Sequence, residues 1–295
     1  MSRRLIRIFA FISVLVAGDH ALAYFGRLAA SKSTMPLAEL YSGRGAGDVL
    51  ILGNSRAMRH FDQERLRRDL GVTVRNYGLL GSSTDFSAVL LDDYLRRYPA
   101  PKAVLVEISG LSADNSAAVP QRLYRMESQG LGQLIRNASP EFYYSGLVFH
   151  LLDLNSDVYM NSLHKILAPY PDVLLHGAMP LDLAHNKDAV SRPYFTTRPA
   201  NETALAAIRR LSGEYGFTLI PILAPVSPLL SQTLAGEISD LLKRTEVITG
   251  VPPLDLTRLA LDDKDFFDPV HLNAEGVSAI HRELVNQLSR RFLLN

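Results

Sequence analysis

The clearest buried strand of the chain lies in the stretch Pro101-Lys102-Ala103-Val104-Leu105-Val106-Glu107-Ile108-Ser109-Gly110. Residues 103–108 are almost all apolar, and the proline and the glycine on either side punctuate the run. Working outward, strand-like and helical patterns alternate on both sides of it. The predicted strands are 49–52, 72–76 and 217–223, and the predicted helices are 55–70 (closed by Gly71), 84–98, 201–215 (with Asn201 as N-cap), 229–244 and 273–292. Such alternation predicts a three-layer α/β/α fold, in which a mostly parallel sheet is covered on both faces.

Composition narrows the class of protein. The chain has 295 residues, of which 47% are hydrophobic, so it can form a substantial core. Lysine plus arginine number 31 against 30 acidic residues, and this balance argues against a nucleic-acid partner. There are no cysteines, which excludes disulfides, cysteine nucleophiles and thiolate metal sites.

The amino terminus has the pattern of an export signal. Arg3, Arg4 and Arg7 precede an apolar run that is interrupted only by Asp19 and His20. Residues 5–25 are long enough to cross a bilayer as a retained anchor, whereas the small residues 21–23 resemble a cleavage site. A buried amphipathic helix of a cytosolic protein is the third alternative.

We favour an exported protein that is held in an inner membrane, with its domain in the periplasm; the alternative is a cleaved, periplasmic protein. The expected organisation is a signal-anchor or signal peptide at 1–25, a linker at 26–47, and one domain at 48–295. An insertion at about 112–200 interrupts that domain.

In parallel sheets, ligands bind beyond the carboxyl ends of the strands, so the segments that follow each strand are the place to look for chemistry. Ser55, in Gly53-Asn54-Ser55-Arg56, follows a predicted strand and opens a helix, where the helix dipole favours developing negative charge. The alternative is that Ser55 only caps the helix. The Gly-x-Ser-x-Gly elbow of α/β-hydrolases is absent.

Two further segments are expected at the same edge of the sheet. Asn76-Tyr77-Gly78-Leu79-Leu80-Gly81 has glycines that can leave a backbone N–H facing a ligand. Asp268-Pro269-Val270-His271 places a carboxylate and an imidazole three residues apart, so that Asp268 can orient His271 while the other ring nitrogen faces a serine.

Together these segments resemble the SGNH/GDSL hydrolase superfamily, over nearly the whole span 49–292. The resemblance implies that Ser55 is the nucleophile, His271 the general base and acid, and Asp268 the orienting carboxylate. It also implies an oxyanion hole formed by the N–H groups of Ser55 and Gly81. Asn54 stands where the name-giving motif has an aspartate, and we expect Asn54 and Arg56 to contact the substrate.

One block departs from the superfamily. Its third oxyanion donor is normally an asparagine after the strand 103–108, but the register places Leu111 there. Ser109, Ser112 or Asn115 can substitute, and the sequence does not select among them. The Gly-x-Ser-Arg form with a degenerate third block is similar to membrane-tethered members that act in cell-surface polymer acylation.

The insertion is rich in tyrosine and histidine. Its aromatic rings suit a sugar-binding groove, or equally a helical subdomain that packs its own aromatics. Its histidines lack the spacing of metal ligands, so we expect no metal and no cofactor. These residues are Tyr143, Tyr144, Tyr159, Tyr170, Tyr194, His150, His164, His176 and His185.

The resemblance, together with the export signal, implies a serine esterase or O-acyltransferase that acts on acyl groups, especially acetyl groups, of an envelope or secreted polysaccharide. Its expected partners are the acylated carbohydrate, the membrane through the N-terminal helix, and other polysaccharide-modifying proteins. The alternative is an inactive SGNH-fold subunit that binds carbohydrate or serves in assembly.

Overall fold

The computed structural model describes residues 3–167, 174–180, 183 and 194–292. The predicted aromatic and histidine positions Tyr170 and His185 lie outside the described residues. Contacts divide the chain into a helical unit, Met1–Gly45 with Asn115–Pro171, and a sheet unit, Ala46–Asp114 with Asp172–Asn295.

The sheet unit contains a parallel five-stranded sheet. Its strands are β1 (Val49–Leu52), β2 (Val74–Asn76), β3 (Ala103–Glu107), β4 (Thr218–Leu223) and β5 (Leu254–Asp255), in the spatial order β2-β1-β3-β4-β5. A short antiparallel pair follows, β6 (Phe266–Asp268) with β7 (His271–Leu272). The predicted α/β class with a parallel central sheet is confirmed. In this order the chain reverses direction between β1 and β3, which is where such sheets bind ligands.

Helices flank the sheet. In the sheet unit they are α3 (Ser55–His60), α4 (Gln63–Leu70), α5 (Thr84–Leu95), α9 (Pro199–Tyr215), α10 (Pro228–Thr233), α11 (Ala235–Thr249) and α12 (Ala274–Phe292). Alternate residues of the buried strands, among them Ile51, Leu105 and Ile220, join one core cluster with side chains of α4 and α12. The intervening strand residues, such as Leu50 and Val104, are also fully buried and point to the opposite face.

Four helices differ from the sequence prediction by more than one residue, and one of them, α5, ends three residues early. The helix expected at 55–70 ends at His60, because Asp62 accepts a hydrogen bond from the Arg65 N–H and begins α4. The helix expected at 229–244 is likewise two helices. The predicted N-cap Asn201 lies inside the first turn of α9, because Pro199 fits the first helical position and the helix begins there.

The helical unit contains α1 (Arg3–Ala30), α2 (Pro36–Tyr41), α6 (Gln129–Ala138), α7 (Pro140–Val148) and α8 (Asp157–Leu167). Two 3₁₀ helices, Ser116–Tyr124 and His150–Asp153, connect them. The segment expected to be a linker, 26–47, includes the last turn of α1 and the whole of α2. It is ordered because Leu37, Ala38 and Leu40 are buried and Pro36 opens the helix.

Helix α1 is distinctive in its length and apolarity. Among the described residues, it is the one helix long and apolar enough to cross a membrane, with a mean hydropathy of 1.8 over 18 residues. The described structure therefore contains a candidate N-terminal anchor or signal helix.

Candidate active site

The turn between β1 and α3 presents Ser55 at the carboxyl edge of the sheet. Gly53 has φ +142°, and a Cβ there would lie 2.8 Å from the Cβ of Glu107 and 2.9 Å from that of Ala57. The turn therefore requires glycine. Asn54 caps α3 by accepting the Arg56 N–H at 2.9 Å, and Ser55 is the first helical residue. The N–H of Ser55 is thus among those that have no acceptor within the helix.

Ser55, His271 and Asp268 form one chain of hydrogen bonds. The Nε2 atom of His271 is 2.8 Å from Ser55 Oγ, and its Nδ1 atom is 2.8 Å and 3.0 Å from the two carboxylate oxygens of Asp268. Because an ionised carboxylate only accepts, Nδ1 carries the proton and Nε2 accepts from the serine hydroxyl. Ser55 is half-buried, so a substrate can reach it. This is the arrangement that activates a serine nucleophile.

The carboxylate of Asp268 is held in its ionised form. Burial opposes ionisation, but the hydrogen bond and electrostatic interaction with His271 and the backbone N–H groups of Val270 and His271 outweigh it. Both N–H groups donate to Oδ1 at 2.9 Å. The pKa of Asp268 therefore lies below its ordinary value, and the group is a charged acceptor throughout the neutral range.

The loop after β2 is tied to the same turn. The Ser82 hydroxyl and the Leu79 N–H both donate to the carbonyl of Gly53, at 2.7 Å and 3.0 Å. Gly81 lies between them, exposed and with φ +67°. A Cβ at Gly78 would overlap the backbone nitrogen of Met58, so the loop packs directly against α3. The predicted oxyanion donors, Ser55 and Gly81, thus lie in two segments that are joined through one carbonyl.

The side chain of Asn76 holds this loop in place through three hydrogen bonds. Its amide Nδ2 donates to the carbonyls of Ala57 and Phe61 at 2.8 Å and 2.9 Å, and its Oδ1 accepts the N–H of Gly78 at 2.9 Å. Asn76 therefore fixes the loop to the end of α3.

The third block does not present a free amide. Leu111 is fully buried. The Ser109 hydroxyl donates to Glu107 and accepts from Asn54 Nδ2 at 2.9 Å, while the Ser112 hydroxyl donates to the carbonyls of Ser109 and Tyr194. Asn115 belongs to the helical unit, immediately before a 3₁₀ helix, and its role as a donor stays a prediction.

Asn201, which sequence reasoning treated only as a helix cap, holds the third block in place. Its Nδ2 donates to the carbonyls of Gly110, Leu111 and Ala113, and its Oδ1 accepts the N–H of Asp85 at 3.1 Å. No local pattern signals this role, because the partners lie about 90 residues or more away along the chain.

Arg56, which we expected to contact the substrate, has its side chain inside the protein. It is buried, and its Nη2 donates to the carbonyls of Ala224 and Pro225, which follow β4. Its Nη1 is 3.5 Å from Glu107 Oε1, and the guanidinium lies over the ring of Phe195. Asn54 also uses both ends of its amide within the protein. The two side chains therefore hold the turn at Ser55 in place through contacts within the protein.

Glu107 and His60 are site residues that the sequence reasoning missed. Glu107 accepts hydrogen bonds from the N–H and the hydroxyl of Ser109 and forms an ion pair with Arg56. It is the one charged residue in the apolar run 103–108, and this isolated charge could have indicated its role. His60 is buried, and its Nε2 accepts the N–H of Leu272 at 3.0 Å, next to His271. Burial, then the charges of Arg56 and His271, hold the pKa of His60 well below its ordinary value, so it is neutral.

Comparisons with known proteins add little to this geometry. No protein-family model matches the chain, and a search of curated proteins finds no relative. One solved structure that is similar to the chain is described as "a putative platelet activating factor from Streptococcus pneumonia". It is 12% identical, with a TM-score of 0.42 over 98% of this chain and 100% of that one.

Proposed function

We propose that this protein is a serine esterase or O-acyltransferase, which moves acyl groups, especially acetyl groups, of an envelope or secreted polysaccharide through an acyl-serine. The observation that carries the proposal is the hydrogen-bonded chain Ser55–His271–Asp268 at the switch point of the sheet. The choice of polysaccharide rests on the resemblance to membrane-tethered SGNH proteins.

In the acylation step, Ser55 Oγ attacks the ester carbonyl while His271 Nε2 takes its proton. The carbonyl oxygen becomes an oxyanion, which the N–H groups of Ser55 and Gly81 stabilise. The C–O bond to the leaving alcohol then breaks, and the imidazolium of His271 returns the proton to that alcohol. Asp268 stays ionised and stabilises the imidazolium.

The second step consumes the acyl-serine. Water, or a sugar hydroxyl in the transferase, gives its proton to His271 and attacks the acyl carbon; Ser55 leaves and recovers the proton. Both acceptors use the same residues, so one acyl-enzyme serves hydrolysis and transfer alike.

The altered third block favours the second candidate, a non-catalytic subunit that binds carbohydrate. Leu111 is buried where the superfamily has a donor, and the hydroxyls of Ser109 and Ser112 are engaged within the protein. Loss of one oxyanion donor costs about 10²–10³-fold in turnover, so we expect a slow enzyme rather than none.

We further propose that α1 is retained as a membrane anchor and that the rest of the chain is exported. Asp19 accepts the N–H groups of His150 and Leu151, and Ala23 and Ala30 are buried in the helical unit. Cleavage after Ala23 would remove Asp19 from these contacts. The cluster Arg3, Arg4 and Arg7 favours the cytoplasmic side for the amino terminus.

The test is labelling of the full-length protein with a serine-directed phosphonate, together with hydrolysis of p-nitrophenyl acetate. We expect label on Ser55, background hydrolysis in Ser55→Ala, and a loss of about 10²–10⁴-fold in His271→Ala, the range for removal of a general base. Ser278→Ala and His164→Ala, which alter an exposed serine and an exposed histidine outside the site, are the matched controls. An unlabelled wild-type protein would favour the carbohydrate-binding subunit.

A further inference from the structure

The helical unit exposes a run of large apolar side chains at the end of α7. They occupy one short stretch, and their exposed fractions range from 37% for Leu151 to 57% for Tyr144. We call this set the apolar edge: Tyr144, Leu147, Val148, Phe149 and Leu151. Contiguous exposed apolar surface on a folded unit marks a binding surface for a membrane or a protein.

The apolar edge contacts two adjacent polar residues of α1, Asp19 and His20, which we call the polar pair. Asp19 accepts the N–H of His150 at 2.6 Å and that of Leu151 at 3.2 Å. His20 Nε2 lies 3.3 Å from the carbonyl of Val148, and the rings of His20 and His150 stack at 3.8 Å. The only acidic residue of α1 is thus paired with backbone groups of the apolar edge and of His150.

Around this polar pair, α1 itself is apolar and exposed. Val14 and Leu15 precede Asp19, and Leu22 follows it, each with more than half of its side chain exposed. A bilayer core of about 30 Å takes about 20 helical residues, so a span that begins at Leu5 ends near Phe25. Asp19 then lies about 9 Å below the outer boundary, at 1.5 Å per residue.

That depth matches the depth at which amphipathic segments lie in membranes. Interfacial helices bury their apolar side chains about 5–10 Å into the boundary between headgroups and acyl chains. At the same depth, Asp19 and His20 would lack water, and the backbone groups of residues 148–151 supply the partners that they need.

We propose that the apolar edge is a second membrane-contact surface, which inserts into the outer interface of the bilayer beside α1. The proposal rests on the proposed retention of α1 as an anchor. The apolar edge binds the lipid surface, and the contacts of Asp19 and His20 fix the depth at which it enters the bilayer.

The chain has no tryptophan, so one introduced indole is a unique reporter. Full-length Phe149→Trp is reconstituted into phosphatidylcholine–phosphatidylglycerol vesicles that contain lipids brominated at a shallow or a deep acyl position. Val14→Trp reports on the anchor, and Gln133→Trp, on an exposed position of α6, is the matched control in the same unit. Far-UV circular dichroism checks each variant for folding.

We expect shallow bromines to quench Phe149→Trp at least twice as strongly as Gln133→Trp, and deep bromines to quench Val14→Trp most. Quenching of Val14→Trp without quenching of Phe149→Trp would overturn the proposal and leave the anchor standing. Equal quenching of Phe149→Trp and Gln133→Trp would also overturn it.

Two other outcomes identify other occupants. If the emission of Phe149→Trp responds to protein density and not to bromine, the apolar edge binds a second copy of the chain and the proposal is wrong. If Val14→Trp is not quenched, the anchor and the proposal fail together. Labelling of Ser55 on the same vesicles reports the proposed catalytic function separately.

Discussion

Each of the two units buries an arginine against a carboxylate, but the two pairs join very different lengths of chain. In the helical unit, Arg125 Nε donates to both oxygens of Asp153 at 2.8 Å and 2.7 Å, and its Nη2 donates to Gly146. These partners lie within 28 residues of Arg125. In the sheet unit, Arg56 joins Glu107 to carbonyls that are 168 and 169 residues away.

A buried pair of an arginine and a carboxylate thus serves two different purposes in this protein. The pair of the helical unit closes a local bundle, whereas Arg56 ties together the ends of β1, β3 and β4. The last of these ends is connected onward, because Ser227 donates its N–H to the carbonyl of Pro269, between Asp268 and His271. Breaking the two pairs should therefore have similar effects on stability and different effects on catalysis.

The largest expected effect comes from Arg56→Met and its matched variant Arg125→Met. Each leaves a buried carboxylate without its partner, so each should lower the free energy of unfolding of its unit by about 3–5 kcal/mol. Only Arg56→Met should also reduce ester hydrolysis per phosphonate-reactive molecule, because it releases the loop that leads to His271.

Denaturant unfolding followed by hydrogen exchange in each unit measures the first quantity, and active-site titration the second. Equal hydrolysis per titrated site in the two variants would show that Arg56 has no influence on the triad. Both ion pairs would then contribute to stability alone.

The second prediction concerns acid, because His60 and Asp153 should contribute to the stability of their units with opposite dependence on pH. His60 has a folded pKa well below the unfolded value of about 6.5, so its unit loses stability as the pH falls below about 6.5, by at most about 1.4 kcal/mol per pH unit. Burial raises the pKa of Asp153 to about 6, although Arg125 opposes the shift. The contribution of Asp153 to the stability of the helical unit is therefore present at low pH and is lost as the pH rises through about 6.

The measurement is the free energy of unfolding of each unit between pH 4 and pH 7, in wild type, His60→Gln and Asp153→Asn. His60→Gln should flatten the pH dependence of the sheet unit, and Asp153→Asn that of the helical unit. A pH dependence that is unchanged in either variant would contradict the assignment of that residue.

The smallest expected effects come from two helix caps. Asn54 caps α3 beside Ser55, and Ser128 caps α6 by accepting the N–H of Leu131 at 3.0 Å. Replacement of either by alanine should lower stability by about 0.5–2 kcal/mol. Only Asn54→Ala should lower kcat, because it also frees Ser109 from its contact with Asn54. A fall in kcat in Ser128→Ala would argue against this division of roles.

The sequence was most informative where local patterns decide structure. Strand β1 occupies the predicted residues, since a short apolar run between a polar residue and a glycine turn has few alternatives. The position of Ser55 at the carboxyl edge follows from the parallel sheet, whereas Asp268 and His271 lie in the separate antiparallel pair of β6 and β7. Their catalytic roles remain a prediction.

What the sequence could not reveal depends on partners far along the chain. The burial of Arg56 is set by carbonyls beyond β4, and helical periodicity contains no trace of them. Likewise, the anchor and the insertion were treated as separate segments, although contacts place 1–45 and 115–171 in one unit. Asp62 and Pro199 show that capping chemistry, rather than apolar spacing, determines where helices begin.

The contact between Asp19 and His150 also has a consequence in time. The two residues are 131 positions apart, so at a synthesis rate of roughly 5–20 residues per second, Asp19 exists for about 7–26 s before its partner is made. During that interval the carboxylate of Asp19 has to accept hydrogen bonds from water or from other groups. The contacts that join α1 to residues 150 and 151 therefore form only after α1 itself has been complete for several seconds.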